Sequence, residues 1–100
     1  MTWDLRAALL KKQEVESTRL ADFDFRLRAR TMRRLAAWTG ASEADLVKAT
    51  VLESDEDILR RLSGGGNALP ELEAAFLRFR AEARRELIEE LGDPSPQRLA

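Results

Sequence analysis

FDFRLRARTMRRLAAW, running from Phe23 to Trp38, is the stretch whose reading decides how this chain folds. At 100° per residue, Phe25, Ala29, Met32 and Ala36 fall within one narrow arc. Leu20, Phe23, Leu27 and Trp38 cluster on an adjoining arc, and Leu35 lies between the two. That pattern predicts a helix with an apolar face wide enough to need covering from two sides, with Met32 and Trp38 in the core. Arg26, Arg30 and Arg33 recur at i, i+4 and i+7 on the remaining side, so three guanidinium groups line one exposed strip. Asp22 reads as the N-cap of this helix and Gly40 as the residue just past its end.

Upstream, Thr2 reads as a cap, Asp4 complements the helix dipole, and Trp3, Leu5, Leu9 and Leu10 supply apolar surface. From Lys11 to Arg19 only Val15 is clearly apolar, so nothing there obliges packing on a core. A partly detached or labile helix is expected, either a frayed terminus or a short amphipathic peptide anchored by Trp3 in a partner's groove. Downstream, Ser42 with Glu43 and Asp45 opens a helix through about Leu52, with Leu46, Val47, Val51 and Leu52 turned inward. Ser54 with Asp55, Glu56 and Asp57 opens another, whose stripe is Ile58, Leu59 and Leu62 and which ends at the SGGGN run, residues 63–67. The last helix begins near Pro70 and stops at Gly92. Leu72, Phe76, Phe79, Ala83 and Leu87 form its main arc, and Leu77, Ala81 and Ile88 a thinner one.

No β-type alternation is sustained anywhere, so the expected class is all-α: a small four-helix bundle with a looser N-terminal helix. The expected division is a mobile N-terminal helical segment, residues 1–22, a bundle over residues 23–92 and a disordered tail, residues 93–100. One hundred residues, 44% hydrophobic and 35% charged, suit a single small core. Neither a membrane-spanning run nor a secretory leader can be read, no cysteine argues for an oxidising compartment, and a cytoplasmic protein is expected.

With no His and no Cys, the usual general base and the best nucleophile are missing, so no enzyme is expected. No cofactor or metal is expected either. The Asp55–Glu56–Asp57 run reads as dipole partners at a helix start rather than a catalytic or metal-binding set, and no EF-hand spacing occurs. Gly64, Gly65 and Gly66 lack the Lys-Ser/Thr of a phosphate loop and follow no strand. A net charge of −1 argues against nucleic acid. Charge is unevenly spread: residues 1–34 carry nine Lys/Arg against five Asp/Glu, and residues 41–58 one against six. The chemistry points to an interaction module.

Phe25-Arg26, Ala29-Arg30, Leu35 and Trp38 together resemble the signature of the bacterial ATP synthase zeta subunit family. The segment Asp55-Glu56-Asp57-Ile58-Leu59-Arg60-Arg61 is similar to that family's Asp-Glu-Asp-Val-Phe-Arg-Lys, and the helix ending at Glu90 is similar in length and character to its last one. The likeness covers about residues 23–91. Trp3-Asp4, Arg6 and Leu10 loosely fit the family's opening Phe-Asp, Arg and Phe, whereas residues 11–22 do not match.

The resemblance implies a four-helix bundle whose N-terminal segment inserts at a catalytic interface of the soluble sector of F-type ATP synthase and blocks ATP hydrolysis. On that reading Trp3, Leu5, Arg6, Leu9 and Leu10 enter the partner, Arg26, Arg30 and Arg33 support docking, and the free protein is a monomer. The alternative is a helical module that binds a small ligand or nucleotide, ATP or ADP, on the basic strip without inhibiting anything.

Overall fold

The computed structural model describes residues 2–94; within the first helix it describes side-chain surroundings at residues 7, 8 and from 18 onward. Four helices follow one another: α1 Thr2–Thr39, α2 Glu43–Leu52, α3 Asp55–Ser63 and α4 Leu69–Leu91. Among the described residues there is no strand. The fold is therefore all-α, a small helical bundle.

The local signals act where they stand in the chain. Ser42 Oγ accepts from the Asp45 N–H at 3.4 Å, and Ser54 Oγ accepts from the Asp57 N–H at 3.2 Å, each supplying an acceptor to a helix start. Gly40, at φ 79°, ends α1 with its N–H donating to the Ala36 carbonyl at 2.8 Å; Gly64, at φ 62°, ends α3. Both positions lie in the left-handed region that glycine enters without steric cost. Pro70 stands in the first turn of α4, where its missing N–H costs no helical bond, and Gly92 caps the other end.

One boundary differs from expectation. Asp22 is not a cap: α1 runs unbroken for 38 residues, about 57 Å at 1.5 Å per residue. Its side chain instead accepts from Arg26 Nε one turn later at 2.9 Å. No Gly or Pro precedes Gly40, so no residue between 2 and 39 compels a break. The division expected at residue 22 thus falls inside a helix. In the expected tail, residues 95–100 lie outside the described residues.

Two apolar clusters hold the body. Met32, Leu35 and Ala36 of α1 meet Leu46 and Ala49 of α2, Ile58 and Leu59 of α3, and Leu72 and Phe76 of α4. Nearer the other end of α4, Phe23 and Leu27 pack on Ala83 and Leu87. Met32 is fully buried, as read, and so is Ile58. Several residues expected inside are not. Trp38 is 46% exposed, Phe25 54%, and Leu20, Val51, Leu52, Leu77 and Ala81 also face solvent. For α1 and α4 the reason is geometric: α2 and α3 are only 10 and 9 residues long, so they cover one side of the pair and leave the flanks of both apolar arcs open. α2 itself buries Leu46, Ala49 and Thr50 and leaves Val51 and Leu52 outside that face.

Candidate protein-docking site

α1 and α4 run antiparallel, joined by a ladder of opposite charges. Glu82, Glu86 and Glu90 recur every four residues on α4, which stacks them on one face, and Arg34 and Arg30 meet them with the same spacing on α1. Arg34 Nη1 lies 3.2 Å from Glu82, and its Nη2 donates to both oxygens of Glu86. Arg30 spans Glu86 at 3.4 Å and Glu90 at 2.8 Å. The hydrogen bonds from Arg34 and Arg30 hold the Glu86 and Glu90 carboxyls below the ordinary carboxylate range, and the same contacts raise both guanidinium groups. The ladder fixes register more than it adds stability, because its members remain partly open to water.

A second clamp was not foreseen from the sequence. Arg28 points into the α2–α3 turn: Nε donates to Asp55 Oδ1 at 3.0 Å, Nη1 to the Thr50 carbonyl at 2.8 Å and Nη2 to the Glu53 carbonyl at 3.0 Å. It thereby satisfies acceptors near the C-terminal end of α2, where a cation is electrostatically favoured. The sequence did hold a signal. On a helical wheel Arg28 falls between Leu35 and Met32, and a cation within an apolar arc must find acceptors on whatever packs there.

The arginine strip is consequently committed within the chain. Arg26 pairs with Asp22, Arg33 with Glu43 at 3.3 Å, and Arg30 with α4. Arg26 and Arg33 stay exposed on the surface, whereas Arg30 is half-buried. A groove of about 320 Å³ lies along them, lined by Asp22, Phe25, Ala29 and Leu87 as well as the three arginines. An anion entering it would compete with carboxylates already paired with those cations.

The other part of the predicted site sits on the projecting end of α1. Arg19 Nη2 donates to the Asp93 carbonyl, 2.9 Å away and beyond the last residue of α4. Residues 2–18 therefore continue past the end of α4 for about 25 Å as helix, in keeping with a molecule 62 Å long and 26 Å by 21 Å across. Ala7, Ala8 and Thr18 on this arm are exposed, as is Leu20 just beyond it. Trp3, Leu5, Arg6, Leu9 and Leu10 all belong to it; their side chains lie outside the described residues. The predicted residues are thus not one patch: the arm set and the arginine set occupy different lengths of the same helix.

At the opposite end of α1, exposed Trp38 meets Phe79 edge to face at 6.3 Å between ring centroids, and the Arg78 guanidinium lies 5.0 Å from the Phe79 ring centre. Among the described residues no group of three or more acidic side chains gathers as a metal site, and no helix is long and apolar enough to cross a membrane. No family model, curated protein or solved structure matches this chain.

Proposed function

We propose that this chain is a cytoplasmic regulatory inhibitor of ATP hydrolysis by the soluble catalytic sector of an F-type ATP synthase. The observation that carries the reading is the projecting half of α1, a helical arm continuous with a body clamped by Arg28, Arg30 and Arg34. A helix that leaves its own bundle is suited to enter a groove on a partner, where the body acts as a stop. The resemblance of residues 23–91 to the zeta subunit family supplies the identity of that partner. Trp3, Leu5, Arg6, Leu9 and Leu10 are the inserting residues on this reading, and exposed Arg26 and Arg33 meet acidic surface beside the entry. Arg30 acts from within, holding α1 to α4 in the body that carries the arm.

The test is ATP hydrolysis by the isolated catalytic sector from the same source. Full-length protein is expected to inhibit, and protein lacking residues 1–12 to lose inhibition while keeping its helical content. Full-length protein without effect would overturn the proposal. The groove along Arg26, Arg30 and Arg33 favours a second reading, a nucleotide site. The carboxylates already paired with all three weigh against it, so ATP or ADP titration followed by amide NMR shifts is expected to leave that groove unmoved.

A further inference from the structure

Between α3 and α4, at the end of the body farthest from the arm, lies an open groove of about 470 Å³. Its apolar lining is Leu59, Leu69, Phe76 and Leu77, the last 65% exposed. Carboxylates edge it. Asp55 is committed to Arg28, but Glu56 and Glu73 take no ion pair among the described residues; Arg60 is the single cation on its lining. An acidic rim over an apolar floor selects a helix that carries leucines and positive charge together.

This chain contains such a helix. Leu5 to Lys12, LRAALLKK, holds three leucines and three cations with no acidic residue, and it lies in the projecting part of α1, where Ala7 and Ala8 are exposed. It cannot reach the groove of its own molecule. The groove sits at the start of α4, beside the C-terminal end of α1, and α1 is one unbroken helix, so the stretch is held roughly 40 Å away along the axis.

We propose that the α3–α4 groove receives residues 5–12 of a second copy of this chain, forming a two-fold dimer in which each molecule gives its arm and accepts its partner's. A two-fold axis makes the two arm–groove contacts identical, so one mode of approach satisfies both arms and closes the assembly. Lys11 and Lys12 of one copy lie against Glu56 and Glu73 of the other, over Leu59 and Leu77. The dimer departs from the monomer expected from the sequence and conceals the same arm that the proposed function needs free, so on that reading the monomer is the inhibitory form and self-association regulates it. The contact itself rests on charge and shape within this chain, and its test measures mass, which separates its failure from failure of the ATPase proposal.

The experiment is sedimentation velocity on the full chain and two charge-reversed variants. The unaltered chain is expected to dimerise at low ionic strength and to dissociate toward about 1 M salt, where the screening length falls to about 3 Å. Lys11→Glu/Lys12→Glu and Glu56→Lys/Glu73→Lys each set like charges in the contact, and each alone is expected to be monomeric. Mixed in equal amounts they regain opposite charges at both contacts and are expected to form a dimer. Circular dichroism on each variant verifies its helices. A monomeric unaltered chain at low salt would overturn the proposal. So would a dimer that survives the Glu56→Lys/Glu73→Lys change, or folded variants that fail to associate when mixed.

Discussion

Arg28 is the residue that most clearly joins distant parts of the sequence. One guanidinium closes the α2–α3 turn through a carboxylate and two carbonyls, and it does so from inside the packed side of α1. Hydrogen bonds from a charged donor contribute more than neutral ones, so Arg28→Ala is expected to destabilise the chain by about 1–3 kcal/mol in urea unfolding. Arg28→Lys is expected to recover only part of that, because an ammonium cannot serve the three acceptors with one planar fork. Equal stability of both variants and the unaltered chain would remove Arg28 as a clamp. The caps at Ser42, Ser54 and Gly40 were legible because each acts on neighbours within four residues. Arg28 was not, since its partners stand 22 to 27 residues away and only the fold brings them near. Trp38 misled for a related reason: its spacing places it on the apolar arc, but spacing does not say where the covering helices end.

At the scale of elements, the α1–α4 pair depends on acid in a way its contacts fix. Glu86 and Glu90 are held below their ordinary pKa by Arg34 and Arg30. A carboxyl depressed in the folded state contributes stability that is fully present above its unfolded pKa, about 4.3, and lost as pH falls through the lower folded value. Unfolding midpoints should therefore be flat near neutrality and fall below about pH 4.3. Glu86→Gln should lower stability at neutral pH and flatten the fall in acid. A variant whose midpoint tracks the unaltered chain at every pH would show that the ladder is without effect. The sequence displayed Glu82, Glu86 and Glu90 as a row, yet their partners depended on α4 lying antiparallel to α1, which periodicity alone does not choose. It also suggested a helix start at Asp22, after a stretch from Lys11 to Arg19 where apolar residues thin out. A helix needs no core at every turn, and Lys, Gln, Glu and Arg in that stretch are good helix formers. Thin apolar content marked where α1 leaves the body, rather than where it ends.

At the scale of the molecule, four helices make a short body and one of them goes on beyond it. The all-α class, the last three helices and most of the core were legible, because 3.6-residue periodicity and strong punctuation at Gly40, Ser54, Pro70 and Gly92 are local properties. The two-part form was legible only in outline, as a stretch with no reason to pack. The exposed flanks, Trp38 and Leu77 among them, were not, since they arise from how short α2 and α3 are in three dimensions.

Amide exchange along the whole chain, with and without the catalytic sector of the F-type ATP synthase and at dilutions that keep the free chain monomeric, tests this division most directly. Residues 27–36 and 72–87 are expected to exchange slowly in both states, and residues 2–18 to exchange fast alone and slowly once the sector is added. An arm as protected as the body in the free monomer, or one that gains no protection on adding the sector, would contradict the account.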